Sequence, residues 1–473
     1  MLVRVVGALA LGAGVLSAGA QRADAFPTLL YVRASIGVDT GNCQTSTTPC
    51  QTISYALTQA PVGAMIVVGD GTYPEQLTIS QSVTIFGNGA RTVIEPTSLP
   101  SSGTDPDSAT PQDYVVGVTP GTTGVILKNL AVSGAGAAST FTSCADNFVG
   151  VYFHDASGGI GSVRVSGMQL PSGLGTCAKG SGIFVASDAG HTSTVSISHT
   201  SVSGYQQNGI TCDDAGTSCT VVLSAVRGSG TASLVSQNGI EVHGASASIT
   251  GTGVAGNSFK GGGAGNQGHG LYLLNAGTLL VKQNRLWSND VDLYAGEVPA
   301  LGLVPPTTGA WSIVHNGASF ATDDTAGGSA GDGYGDGIVI DSTSNTVQVT
   351  RNITKGDADF GIALLGATGV AVTRNIEVLD YNGLYVGGPG SAVSASTGNT
   401  LSMNDAKHNH HDGIAADVGT TESGNTFTSD KGEFNQAVQM VDLSTGAGTA
   451  KTANTWTGNK CHHGPRSSPT GLC

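Results

Sequence analysis

Charge is scarce in this chain: only 11 % of its 473 residues are Asp, Glu, Lys or Arg, where about 25 % is usual. That excludes a charge-rich disordered chain, a coiled coil and a helical bundle. Aromatic residues are few as well, at 5 %, so a core must be assembled from small and β-branched side chains, which suits stacked strands. Basic residues are rarest, 19 Lys and Arg against 33 Asp and Glu, for a net charge of −14. Nucleic acid is therefore not an expected partner, because its phosphates need clustered cations. Beyond the N-terminal segment no stretch reaches the ~18 apolar residues of a spanning helix. No C-x-x-C occurs, which argues against a zinc site, and no metal ligands are assigned.

Glycine is abundant instead, with 72 residues, about twice its ordinary share of ~7 %. The chain begins with Arg4, an apolar run over residues 5–20, and Ala23-Asp24-Ala25 before Phe26. This is the layout of a secretory signal, predicting cleavage after Ala25 and a secreted, extracellular chain 26–473 with no membrane span. The eight cysteines suit that compartment and fall into close pairs: Cys43 with Cys50, Cys144 with Cys177, Cys212 with Cys219 and Cys461 with Cys473. Four local disulfides are the economical expectation, although eight cysteines permit 105 pairings.

The chain repeats a phrase instead of changing character, so a single domain, expected to be monomeric, replaces the several that its length suggests. Asn208-Gly209-Ile210-Thr211-Cys212, Asn238-Gly239-Ile240-Glu241-Val242, His269-Gly270-Leu271-Tyr272-Leu273 and Asn382-Gly383-Leu384-Tyr385-Val386 are four of nine copies. Between them falls a second phrase, as in Val349-Thr350-Arg351-Asn352 and Val372-Thr373-Arg374-Asn375. Each repeat thus holds at least two short strands separated by turns, with no helical run for a crossover, which leaves a parallel β-helix. Stretches 97–113 and 297–335 break the pattern, the second reading as an inserted loop with irregular strand content.

These phrases resemble the repeats of the pectin-lyase-like superfamily of carbohydrate-binding and sugar-cleaving proteins, over about residues 50 to 460. The resemblance implies an all-β, right-handed parallel β-helix with an N-terminal cap helix, here around residues 53–60; the spacing of the last cysteine pair adds a disulfide-closed tail. It leaves activity open, because that superfamily holds lyases, hydrolases, esterases, epimerases and non-catalytic adhesins. Asp213-Asp214 and Gly268-His269-Gly270 are similar to motifs of polygalacturonase-type hydrolases, but His269 falls about two coils after the aspartates instead of one. Gly71-Thr72-Tyr73-Pro74-Glu75 resembles the first pectinesterase motif and reads as a marker of the first coil.

If the aliphatic residues of the glycine phrase point inward, the residues two and four after the glycine point outward. Tyr152, His154, Thr211, Asp213, Asp214, Glu241, His243 and Tyr272 then share one strip that offers aromatic faces and carboxylates to a sugar. Asp213 and Glu241 are one coil and two residues apart, about 8 Å by strand spacing, inside the window of an inverting acid and base. The expectation is an extracellular polysaccharide as partner, cleaved with Asp213 and Glu241 as acid and base, Asp214 and His243 in support, and Tyr152, His154, Thr211 and Tyr272 binding the sugar. Arg351 and Arg374, in matching places, are the cations available to a polyuronate, as in a calcium-assisted lyase or epimerase. A non-catalytic glycan-binding or adhesive solenoid is the remaining alternative. No cofactor is required; calcium is possible, with Asp323, Asp324, Asp332 and Asp336 as oxygen ligands. The run Lys407-His408-Asn409-His410-His411-Asp412 offers ligands to a transition metal or a sugar acid, but reads first as a solvated coil turn.

Overall fold

The computed structural model describes residues 27–106, 109–230, 234–259, 267–297, 309–321, 335–343, 345–387, 395–416, 423–464 and 466–473. The signal segment and its cleavage point lie outside the described residues, as do Asp323, Asp324 and Asp332.

The chain winds as a right-handed parallel β-helix whose three walls hold, among the described residues, 15, 14 and 14 strands, with Ser102–Thr104 added antiparallel to the third. Each coil contributes one strand to each wall, and every strand pairs in parallel with its counterpart in the next coil; Ser193–Ser198, Ser201–Tyr205 and Asn208–Asp213 make one such coil. Ile210, Ile240, Leu271 and Leu293 stack down the interior of the third wall, all fully buried. The repeated glycine sits where the second wall turns into the third. A Cβ at Gly239 would lie 2.2 Å from Val254 Cγ1 and 2.6 Å from the Gly270 carbonyl oxygen, so the corner closes only without a side chain.

The Arg-Asn phrase is the turn from the first wall to the second. Arg351 and Arg374 hold left-handed backbones, φ +56° and +57°, and the asparagine after each turns inward. Asn284, Asn316, Asn352 and Asn375 form a buried ladder that ends on Asn404, each of the four Nδ2 groups donating to the Oδ1 one coil on at 3.0 to 3.1 Å. The ladder satisfies polar groups that a dry interior would otherwise strand.

Helix α1, Ile53–Gln59, covers the N-terminal end of the core. Thr52 Oγ1 accepts the Tyr55 N–H, and the Glu75 carboxylate accepts the N–H groups of Ile53 and Ser54 at 2.9 and 2.7 Å. Glu75 of the Gly-Thr-Tyr-Pro-Glu motif is thus a helix-capping acid. At the other end Phe427 and Trp456 stack at 3.8 Å, below the Cys461–Cys473 disulfide. All four cysteine pairs are bonded as their spacing suggested.

Both irregular stretches hold strands. Ser102–Thr104 folds back antiparallel on Pro111–Val118 and lies over the third wall. Between residues 297 and 335, Ala310–Val314 and Gly317–Ser319 take regular places in the first and second walls, with Trp311 filling the core. Part of the expected insertion is therefore an ordinary coil. No helix among the described residues is long and apolar enough to cross a membrane.

Candidate functional site

Four neighbouring strands of the third wall carry the polar strip: Asn208–Asp213, Asn238–His243, His269–Leu274 and Val291–Gly296. Register sets Thr211 opposite Glu241, which faces Tyr272, which faces Tyr294; Asp213 stands opposite His243. Asp213, Glu241 and His243 thus share the outer side of one wall, while Ile210, Cys212, Ile240 and Val242 point inward and are fully buried.

His243 Nδ1 lies 2.9 Å from Asp213 Oδ1, with both side chains mostly shielded. Glu241 accepts a hydrogen bond from Asn238 Nδ2 at 3.1 Å. Burial, and next the negative charge of Asp213, push the Glu241 carboxyl above its ordinary value, favouring its protonated form. Asn238 is itself held, since its Nδ2 reaches Asn208 Oδ1 at 3.2 Å and its Oδ1 meets His269 Nδ1 at 3.0 Å. Burial pushes His269 down to about 3, so its imidazole is neutral and Nδ1–H is the donor. His269 stacks on Tyr272 with ring centroids 4.2 Å apart, and Tyr294 packs on both. Tyr294 Oη donates to Asp341 Oδ2 at 2.5 Å, extending the polar row. The result is a half-buried acid beside a carboxylate–imidazole pair, flanked by aromatic rings.

Other residues expected in the strip are elsewhere or covered. Tyr152 is 2 % exposed: its hydroxyl donates to the Thr104 carbonyl and its ring packs against Gly103, where a Cβ would approach to 2.2 Å. It is a packing residue under the 102–104 strand and not a sugar platform. Thr211 is also buried, its hydroxyl receiving Asn208 Nδ2 at 3.2 Å, so it offers nothing to a ligand. His154 turns to Asp188, 3.0 Å away. Asp214 begins the turn to the first wall with φ +76°, and its Oδ2 accepts the Ser187 N–H at 3.4 Å; a turn role accounts for that carboxylate. Arg351 and Arg374 stand at the corner between the first and second walls, exposed, and do not join Asp213 and Glu241. The cation expected for a polyuronate is thus absent from the strip among the described residues.

Sequence reasoning missed Asn208, Asn238 and Tyr294, and placed His269 only in a motif. The first residue of each glycine phrase was the available signal for Asn208, Asn238 and His269. Tyr294 was hidden because its coil carries Asp292 where the others carry glycine. Further along the same wall an open cavity of about 370 Å³ is lined by Phe360, Tyr381, Tyr385, His411 and Asp412 among others. Phe360 stacks on Tyr385 and Tyr381 on His411, so part of the histidine run read as solvated packs against aromatic rings.

No protein-family model and no curated protein matches the chain. Solved structures similar to it include pectate lyase Pel9A (16 % identity, covering 83 % of this chain and 79 % of that one, TM-score 0.37). A lacto-N-biosidase from Eubacterium ramulus is 12 % identical over 93 % of this chain and 68 % of that one, TM-score 0.46. The A-module of mannuronan C-5 epimerase AlgE6 from Azotobacter vinelandii is 11 % identical over 85 % and 91 %, TM-score 0.40.

Proposed function

We propose that this is a secreted, carbohydrate-active protein that cleaves an extracellular polysaccharide by hydrolysis with inversion. The observation that carries the reading is Glu241: a carboxyl clamped by Asn238, biased toward its protonated form by burial and by Asp213, one coil from that aspartate on a solvent-side wall. In this reading Glu241 gives its proton to the glycosidic oxygen as the bond from the anomeric carbon to that oxygen breaks. Asp213, held by His243, takes a proton from the water whose oxygen bonds to the anomeric carbon from the opposite face. Tyr272 and Tyr294 supply stacking surface beside the reacting unit. Four disulfides support an oxidising, extracellular compartment.

The test incubates purified protein with neutral and uronic polysaccharides, with and without chelator, reading reducing ends and the absorbance of unsaturated products. Reducing ends without unsaturation are expected, and Glu241→Gln and Asp213→Asn should each lower the rate by ~10²-fold or more. Unsaturated products lost with chelator would replace hydrolysis by a lyase reaction. Retention of glycan without cleavage would make the wall a binding surface.

A further inference from the structure

Three and two coils before Glu241, the turns from the third wall to the first bring together four side chains that hydrolysis does not use. His154 ends the strand Asn147–His154, and Asp155 follows it with φ +48°. One coil on, the turn after Ser181–Ala186 carries Asp188 and His191. His154 Nε2 is 3.0 Å from Asp188 Oδ1 and 3.9 Å from Asp155 Oδ2, and His191 Nδ1 is 3.0 Å from that same Asp155 oxygen. The ligand atoms of His154, Asp155 and Asp188 all lie within 4.8 Å of one another.

We propose that His154, Asp155 and Asp188 bind one divalent transition-metal ion of the zinc class, with His191 holding the Asp155 carboxylate from outside. Bonds of about 2.0–2.2 Å in a tetrahedral site put neighbouring donor atoms roughly 3.3–3.6 Å apart; His154 Nε2 lies 3.0 Å from the Asp188 donor and 3.9 Å from the Asp155 donor, to either side of that value. An imidazole nitrogen with two carboxylate oxygens suits zinc and its neighbours, whereas calcium takes six to eight oxygens. The cysteine spacings that argued against zinc do not bear on a donor set of histidine and aspartate.

The site is preorganised from behind. The Asp155 side chain is only 4 % exposed, and its second oxygen, Oδ1, accepts the Asp188 N–H at 2.8 Å. One carboxylate thereby fixes the neighbouring turn with one oxygen and offers the other to the ion, the partnering expected around a metal ligand. Asp188 and His191, 50 % and 62 % exposed, form the outer rim. An open cleft along Gly121, Thr123, Gly190 and Thr192 leads to Asp155 and His191, giving the ion a route in. Three protein ligands tie two successive turns together through the ion and leave its fourth position to water. The inference does not rest on glycan cleavage.

The experiment is calorimetric titration of tag-free protein with zinc chloride at pH 7.5, with calcium chloride as the comparison. Thermal unfolding is recorded with and without each ion. One zinc per chain is expected, together with a rise in unfolding temperature that calcium does not produce. His191→Ala and Asp188→Asn alter exposed turn residues and should keep the far-ultraviolet circular dichroism of the parent. Asp188→Asn should weaken zinc binding by more than the ~10–100-fold typical of losing an outer partner, and His191→Ala by about that factor. Absence of saturable zinc binding overturns the proposal. So does equal calcium affinity, or binding that survives in both variants, which would put the ion on another histidine run such as His408–His411 or His462–His463.

Discussion

Asp380→Asn should make this protein more resistant to alkaline unfolding. Asp380 continues a second buried ladder, at the turn from the second wall to the third: its N–H donates to Asn409 Oδ1, and its own Oδ1 accepts the Asp357 N–H, both at 3.0 Å. Its other oxygen accepts the Thr354 hydroxyl at 2.9 Å. Asp357 and Glu377 lie close by, fully interior; among the described residues neither Glu377 oxygen nor Asp357 Oδ2 has a hydrogen-bond partner. No Lys or Arg pairs with any of the three among the described residues. Burial pushes Asp380 from an ordinary 3.8 up to about 7. Burial first, and then neighbouring acids, raise Asp357 and Glu377 well above their usual values.

The sign follows from linkage. An acid with a raised pKa in the folded state binds its proton more tightly there than when unfolded. Stability is therefore full below about pH 4, declines as pH climbs toward about 7, and levels off above it. The gap from 3.8 to about 7 corresponds to about 4 kcal/mol at pH 8 for this residue, to order of magnitude. Asparagine already occupies the ladder at Asn409 and can give its Nδ2–H to the Thr354 hydroxyl, so the amide fits without a charge. Urea unfolding at pH 4.5 and pH 8 is the assay. The parent should be markedly weaker at pH 8, and Asp380→Asn should recover a few kcal/mol there while changing little at pH 4.5. Equal loss of stability between the two pH values in parent and variant would refute a protonated, buried carboxyl.

Three further outcomes are expected. Replacing Cys212 and Cys219 by serine opens a bridge with a sequence separation of 7, costing about 2.5 kcal/mol on a chain-entropy basis; because Cys212 precedes Asp213, glycan turnover should fall with stability, measured by reducing ends and urea unfolding together. Gly103→Ala drives a Cβ into the buried Tyr152 ring and should cost roughly 1–3 kcal/mol of overpacking, with faster proteolysis at the 102–104 strand as the readout; unchanged protection would show that the strand does not bear on Tyr152. Asn375→Ala removes the Asn375 partner of the Val349 carbonyl and of the Asn352 N–H and Nδ2 groups at about 1–3 kcal/mol for each buried group left unpaired, so thermal unfolding should move sharply downward.

The glycine and Arg-Asn phrases announce the solenoid because each coil repeats the same two requirements, an empty corner and a left-handed turn followed by an inward amide. Strand alternation also carries far enough to put Asp213, Glu241 and His243 on one wall. It fails at Tyr152, whose outward position is right and whose exposure is not, because a strand 48 residues earlier in the chain folds over it. It fails likewise at Arg351 and Arg374, where matching positions signal a shared corner and not a shared binding surface. At Tyr294 the phrase itself changes, with Asp292 bonded to Asn289 Nδ2 at 2.7 Å and to the Ser319 N–H at 2.6 Å in place of an empty corner.

Composition and period by themselves determined a coiled stack of strands, and cysteine spacing favoured its four local disulfides, since these depend on contacts that recur at short or constant offsets along the chain. Which outward residues are open, which carboxyls keep a proton and which turns meet were decided only by the folded molecule. Cover, desolvation and the approach of two turns depend on what neighbouring coils happen to place there, and no local pattern records it.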